Sequence, residues 1–205
     1  MIYAEHILVC VSVPLAVALA FTRGSARRFA GFALTGMVIC LMSAYISGFA
    51  DSGSDINTSV YVSPILEEIM KLLPPLLYLY LMNPEDDDLM LAGVGVGTGF
   101  AIFENCCYLT VPEMERFAFV AIRGFSTGVM HVVSAVSLCL GLTLARRIRA
   151  LTLPGIIGAL SLSATFHGLY NLLVSHSGTA SMIGYAMPVL TAAMLLPAYR
   201  KTRQK

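Results

Sequence analysis

Long apolar runs separated by short polar breaks make up nearly the whole chain of 205 residues. A helix needs about 20 predominantly apolar residues to cross a bilayer. Runs of about that length span residues 6–22, 29–49, 62–82, 89–110, 124–145, 152–174 and 180–198. The pattern predicts an all-α fold, a polytopic membrane helix bundle of about seven transmembrane helices. It leaves no room for a soluble domain, so residues 1–205 are expected to form one membrane domain.

Composition supports this prediction. Hydrophobic residues make up 57% of the chain and charged residues 12%, and the mean hydropathy is +0.78. A soluble domain is usually about one quarter charged. The sequence therefore indicates an integral, multi-pass membrane protein surrounded by lipid, and no nucleic-acid partner is expected.

The basic residues predict an orientation, because loops rich in Lys and Arg stay in the cytoplasm. Ten of the 13 basic residues follow the first, fifth and seventh runs. They are Arg23, Arg27, Arg28, Arg146, Arg147, Arg149, Arg200, Lys201, Arg203 and Lys205. The N-terminus is therefore predicted outside and the C-terminus in the cytoplasm. The acidic loop 83–88 must then be cytoplasmic, which is allowed because carboxylates contribute little to the topology rule.

Ionisable and amide side chains interrupt four of the apolar runs. Such groups are costly in hydrocarbon unless they are paired, face a water-filled cavity or bind an ion. The residues are Glu67, Glu68 and Lys71 in 62–82, Glu104 and Asn105 in 89–110, His131 in 124–145, and His167 and Asn171 in 152–174. Because four helices carry them, we expect a functional site.

Five of these side chains are predicted to lie at one depth. Counted from the outer end of each run at about 1.5 Å per residue, they fall about 8 to 11 Å below the outer surface. The five are Glu67, Glu68, Glu104, His131 and His167. Lys71 is predicted one turn deeper and Asn171 one turn nearer the surface, so the site should open toward the outer leaflet.

Helical spacing predicts which of these groups face one another. Residues four apart share a helix face, so Glu67 is expected to pair with Lys71, and His167 to act together with Asn171. Glu68 is expected to point elsewhere, without a local partner, and to act on water. A structural ion pair between Glu67 and Lys71 and a core role for His131 are the alternatives. Arg123 is expected to extend to the outer headgroups.

The segment GVGVGTG at 93–99 contains two interleaved pairs of glycines four residues apart. Gly93 pairs with Gly97, and Gly95 with Gly99. Small residues at this spacing allow transmembrane helices to approach closely. The segment fits neither of the usual nucleotide-binding glycine patterns, so we expect it to pack against neighbouring helices.

The residue types at the common depth fit hydrolysis of a peptide bond. Two histidines and a carboxylate are a common zinc set that leaves a position open for water, and a further glutamate can serve as general base. An Asn and a His one turn apart can donate hydrogen bonds to a developing oxyanion. A proton- or ion-coupled transporter is the alternative, because intramembrane Glu, His and Lys also form relays. Transporters, however, often have inverted repeats and sites near the midplane, which this sequence lacks.

Four motifs in order carry a resemblance to a known family. They are EExxK from Glu67 to Lys71, FAIFEN from Phe100 to Asn105, an isolated His131, and HGLYN from His167 to Asn171. Together they resemble the PrsW family of intramembrane proteases, which is related to the CAAX-protease and bacteriocin-processing superfamily. The motifs cover the core from about 62 to 174. The wider superfamily has His at the position of Glu104.

The resemblance implies an endopeptidase that cuts a single-pass transmembrane protein, similar to an anti-sigma factor, on its extracytoplasmic side. It implies a location in the cytoplasmic membrane of a bacterium or archaeon. The catalytic residues carried over are Glu67, Glu68, Glu104, His131, His167 and Asn171. A divalent metal such as Zn²⁺ is expected, with Glu104, His131 and His167 as its ligands.

Overall fold

The structure is a computed structural model that describes residues 23–51, 58–110, 117–148 and 152–202, together with six isolated positions between residues 4 and 17. The described ranges contain seven α-helices and no strand. The helices are α1 Gly24–Asp51, α2 Thr58–Tyr61, α3 Ser63–Met82, α4 Asp86–Tyr108, α5 Phe117–Arg147, α6 Thr152–Val174 and α7 Thr179–Thr202. The all-α prediction is confirmed.

Five of the described helices, α1, α4, α5, α6 and α7, are long and apolar enough to cross a membrane. Helix α3 has 20 residues, about 30 Å at 1.5 Å per residue, but it contains Glu67, Glu68 and Lys71. Only residues 7, 8, 11, 15 and 17 of the predicted run 6–22 are among the described residues. The number of seven transmembrane helices and the orientation of the termini therefore stay predictions.

Helix α5 begins earlier than the sequence indicated. It starts at Phe117 rather than at residue 124, because the residues before Gly124 are apolar apart from Arg123 and include no proline. His131 consequently lies 14 residues after the start of its helix, where seven were predicted. The predicted depth of His131 below the end of its helix is therefore wrong.

Helix α4 lies between α1 and α5, and its glycines allow close contact on both sides. A Cβ added at Gly93 would lie 2.6 Å from Cys139 Sγ of α5, and one at Gly97 would lie 2.7 Å from the His131 carbonyl oxygen. A Cβ at Gly95 would lie 2.7 Å from Phe32 Cβ of α1. The predicted close packing is confirmed, and each glycine pair faces a different neighbour.

Two apolar clusters fill the space around α4. One joins α3, α4 and α5 and includes Leu72, Met90 and Leu142. The other joins α1 and α4 around Met37 and Val96, and described residues near the N-terminus pack against it. Those residues are Ala4, Ile7, Leu8, Val11 and Leu15, which share one helix face.

The outer helices α6 and α7 expose large apolar side chains such as Leu162, Met182 and Met194. A soluble protein seldom exposes so large an apolar surface. Lipid is the solvent in which such a surface is stable.

Arginine–aspartate pairs connect α1, α4 and α5 at one end of the bundle. Arg28 donates to Asp88 (2.8 Å), Arg147 donates to Asp86 (2.6 Å), and Arg146 contacts Asp86. Arg146 also donates to the Pro84 carbonyl oxygen at 2.6 Å. We call these five charged residues the loop-end network. It shows that the acidic loop lies at the same end as these arginines, as the predicted topology requires.

Candidate active site

Four helices bring the predicted ionisable residues together inside the bundle. Helix α3 contributes Glu67, Glu68 and Lys71, α4 contributes Glu104, α5 contributes His131 and α6 contributes His167. The side chains of Glu68, Lys71 and His131 are 0% exposed. Those of His167, Glu67 and Glu104 are 3%, 17% and 20% exposed. We call these six residues the buried site; Glu67 and Glu104 are its most exposed members.

Lys71 pairs with Glu68 and not, as predicted, with Glu67. Its Nζ donates to Glu68 Oε1 at 2.7 Å. Residues three and four apart are both neighbours on a helix, so local spacing allowed either pair. The deciding contact is with another helix, because Lys71 Nζ also donates to His131 Nδ1 at 2.7 Å. The expectation that Glu68 lacks a local partner is therefore wrong.

His167 lies between the two glutamates of α3. Its Nδ1 is 2.9 Å from Glu68 Oε1, and its Nε2 is 3.7 Å from Glu67 Oε2. Glu67 Oε2 and Glu68 Oε2 are buried and have no hydrogen-bond partner in the described structure. A buried carboxylate oxygen without a donor is costly, so these two oxygens favour the presence of a further group in the site.

His131 contacts members of the buried site on both sides of its ring. Nδ1 accepts from Lys71, and Nε2 contacts Glu104 Oε2. The ring lies 5.1 Å from that of His167 in an edge-to-face arrangement. The other oxygen of Glu104 is 3.9 Å from the Arg123 guanidinium. The predicted grouping of His131 with Glu104 and His167 is thus present in the structure.

Asn171 lies outside this group of contacts. Its Nδ2 donates to the carbonyl oxygen of Ser59 in the short helix α2 at 2.9 Å. This bond holds the segment before α3 against α6. The predicted oxyanion role of Asn171 together with His167 stays a prediction.

Phe100 and Arg123 also lie near the site. The sequence predicted no chemical role for Phe100 and a different position for Arg123. The buried Phe100 ring lies 4.4 Å from Lys71 Nζ and 4.7 Å from the His131 ring, so it packs against both groups. Phe100 lies four residues before Glu104 and therefore on the same helix face, so helical spacing could have predicted that it lies near the site. Arg123, expected to extend to the headgroups, instead stacks over the Tyr108 ring at 3.4 Å and is only 16% exposed.

The donor set fits a divalent metal. One ligand atom each from Glu67, His131 and His167 lie within 4.8 Å of one another. Two histidines and a carboxylate are typical zinc ligands, and the unpartnered Glu67 Oε2 is a free donor among them. His131 can offer Nε2 to a metal only in the tautomer that carries its ring proton on Nδ1, the nitrogen that faces Lys71 Nζ. The carboxylate of this group is that of Glu67, and the predicted ligand set of Glu104, His131 and His167 stays a prediction.

Comparison with known proteins identifies the family of the chain. The family described as PrsW family intramembrane metalloprotease matches residues 6–198, nearly the whole chain. No curated protein and no solved structure matches the chain. The match includes all four motifs and does not favour a transporter. This chain belongs to the PrsW family of intramembrane metalloproteases.

Proposed function

We propose that this membrane protease is a zinc-dependent endopeptidase that cuts a single-pass membrane protein, similar to an anti-sigma factor, near the extracytoplasmic face. The observation that carries the proposal is the group formed by Glu67, His131 and His167, whose ligand atoms lie within 4.8 Å of one another inside the helix bundle. The bilayer in question is the cytoplasmic membrane of a bacterium or archaeon, with the N-terminus outside and the C-terminus inside.

His167, His131 and one carboxylate would hold the ion. Glu67 is the carboxylate that the distances favour, and Glu104, the ligand implied by the resemblance, is adjacent through His131. When bound, the ion would lower the free energy needed to deprotonate a water and would polarise the scissile carbonyl. The remaining residues supply orientation and proton transfer.

Glu104 is the proposed general base. Its side chain is 20% exposed, and one of its oxygens contacts His131 while the other faces Arg123. In the first step a Glu104 oxygen accepts a proton from the attacking water, whose oxygen forms the new bond to the peptide carbon. In the second step Glu104 returns that proton to the leaving amine as the peptide bond breaks.

Glu68 is less suited to this role than the sequence suggested. Its side chain is 0% exposed, and Oε1 already accepts hydrogen bonds from Lys71 and His167. A base must reach the proton that it removes. We therefore assign Glu68 to orientation of its neighbours.

Asn171 is retained as a candidate for binding the oxyanion, because it follows His167 by one turn on α6. One N–H of its amide is bonded to the Ser59 carbonyl oxygen, and the second N–H could donate to the oxyanion only if the side chain turns toward the buried site. A substrate segment that displaces α2 from α6 would release it.

The test uses purified protein in proteoliposomes with a library of single-pass reporter proteins whose juxtamembrane residues are randomised. Mass spectrometry of the products locates any cut bond. We expect cleavage near the end of the reporter that faces the outside. We also expect loss of cleavage after chelation and recovery with Zn²⁺. Cleavage that persists in the fully chelated protein would contradict the metal mechanism, and cuts confined to the cytoplasmic side would contradict the topology.

The topology can be tested separately with fused reporters in cells. A reporter after Lys205 should lie in the cytoplasm, and one in the 52–57 segment should lie outside. The opposite result would place the buried site toward the inner leaflet and contradict extracytoplasmic cleavage.

A further inference from the structure

The two histidines of the buried site make opposite hydrogen bonds through the same ring atom. His131 Nδ1 faces the ammonium of Lys71 at 2.7 Å, whereas His167 Nδ1 faces the carboxylate of Glu68 at 2.9 Å. An ammonium has only donors and a carboxylate has only acceptors. Nδ1 of His131 must therefore be bare, and Nδ1 of His167 must carry a proton.

The tautomers follow from these two contacts. A histidine must be neutral to bind a metal, and a neutral imidazole carries one proton. In that form His131 presents Nε2–H to Glu104, and His167 presents a bare Nε2 toward Glu67. Lys71 and Glu68 also bind each other, at 2.7 Å, so each holds the other in the position that sets its own histidine.

We propose that Glu68 and Lys71 are positioning residues that fix His131 and His167 in opposite tautomers in the metal-free protein. His167 then presents its Nε2 lone pair to a ligand directly, whereas His131 must first move its ring proton to Nδ1. The inference deepens the proposed function and rests on it for the identity of that ligand as a metal ion. A carboxylate that accepts the proton of a ligating histidine commonly fixes its tautomer in this way.

The alternative tautomer of His167 has a ready acceptor. Glu67 Oε2 lies 3.7 Å from Nε2, is buried and has no other hydrogen-bond partner in the described structure. His167 is therefore placed between two carboxylates, and Glu68 keeps the proton on Nδ1 because it is the closer of the two. Removing Glu68 should transfer the proton to Nε2, where Glu67 would accept it.

The decisive variant is the double substitution Glu68→Met with Lys71→Met. Removing only Glu68 would leave an unpaired buried ammonium, whereas replacing both members of a buried ion pair by apolar residues of similar size is often neutral for folding. The matched control is Ser163→Ala, which removes a buried hydrogen bond from α6 to the Ser134 carbonyl oxygen, one turn before His167, without touching the histidine.

The measurement is ¹⁵N NMR of the histidine ring nitrogens in chelator-treated protein, with folding checked by circular dichroism. In the wild type and in Ser163→Ala, we expect His167 to have a protonated Nδ1 and a bare Nε2, and His131 the reverse. In the double variant we expect the proton of His167 on Nε2. A wild-type His167 with its proton on Nε2, or a folded double variant in which Nδ1 stays protonated, would overturn the proposal.

A second variant keeps the test usable if the double variant does not fold. Lys71→Met alone leaves Glu68 in contact with His167 and removes only the donor to His131 Nδ1. We expect an unchanged tautomer at His167 and a changed ¹⁵N shift at His131 Nδ1. An unchanged shift at His131 Nδ1 would overturn the assigned contact.

Zinc binding separates this inference from the proposed function. We expect the double variant to bind Zn²⁺ about 10- to 100-fold more weakly than the wild type, as is typical when the group that orients a metal-bound histidine is lost. Ser163→Ala should bind as the wild type does. A wild type with the expected tautomers that takes up no Zn²⁺ would leave the inference intact and contradict the metal site of the proposed function.

Discussion

The buried site and the loop-end network are both clusters of charged residues, but they satisfy their charges differently. In the loop-end network three arginines face two aspartates, and every side chain is 22–51% exposed. In the buried site three carboxylates face one lysine and, at 3.9 Å, one arginine. Two of the carboxylate oxygens there are buried without a partner.

This difference indicates what each cluster needs. Exposed pairs are solvated, so the loop-end network is complete without any ligand. Buried charges are stable only when they are paired or bind a metal. The buried site has more negative than positive charge and unpartnered oxygens, so a cation would complete it. The following predictions test this contrast.

The largest effect is expected for His167→Ala. It removes the one histidine nitrogen that points a free lone pair at Glu67. Zn²⁺ affinity should fall by more than about 100-fold, beyond the loss typical of a group that only orients a ligand. Cleavage should be abolished. A titration against a competing chelator measures the affinity, and Asp86→Asn in the loop-end network should bind as the wild type does. An equal loss of Zn²⁺ affinity in His167→Ala and Asp86→Asn would contradict the assignment of the metal site to the buried site alone.

The next effect is expected for Gly97→Ala, which tests how the packing of α4 positions the buried site. The added Cβ would lie 2.7 Å from the His131 carbonyl oxygen and 2.8 Å from Val132 Cα, both backbone atoms that cannot rotate away. Overpacking of this kind costs about 1 to 3 kcal/mol. Gly31→Ala is the control, because nothing lies within 4 Å of its added Cβ. Unfolding in bicelles should separate the two variants; equal stability would contradict the close contact.

A smaller effect is expected for Arg123→Leu at the edge of the buried site. Arg123 is 3.9 Å from Glu104 Oε1 and stacks over Tyr108. Because the contact is long and partly exposed, its loss should lower the cleavage rate about fivefold, which corresponds to about 1 kcal/mol. Arg123→Lys should retain part of the rate, since it keeps the charge but loses the planar stack. A loss of cleavage as complete as that in His167→Ala would show that Arg123 takes part directly in the reaction.

The smallest effect is expected for Asp86→Asn. It weakens two exposed arginine pairs while Arg146 keeps its bond to the Pro84 carbonyl oxygen. The free energy of unfolding should change by less than about 1 kcal/mol, and the change should shrink as salt is added. Measuring stability at two salt concentrations checks this. A large, salt-independent loss would mean that the pair is effectively buried.

The sequence was sufficient to predict most of the helices. The runs 62–82 and 152–174 correspond to Ser63–Met82 and Thr152–Val174 within one residue. These ends are well defined because polar or turn-forming residues flank them. The start of α5 was predicted seven residues too late, although nothing in the sequence from Phe117 to Arg123 breaks a helix.

The members of the site were also predictable from the sequence, but their contacts were not. An ionisable or amide side chain in an apolar run requires a partner, a cavity or an ion. That rule selected Glu67, Glu68, Lys71, Glu104, Asn105, His131, His167 and Asn171, which include all six members of the buried site.

The sequence by itself determined the helical class, the membrane setting and the residues that must be accommodated, because these follow from hydropathy and local spacing. Only the tertiary structure decided that Lys71 binds Glu68, and that Glu68 in turn binds His167. The reason is geometric: positions three and four residues apart are equally near on a helix. The choice between them is made by His131 and His167, which lie 60 residues from Lys71 and 99 residues from Glu68 along the chain.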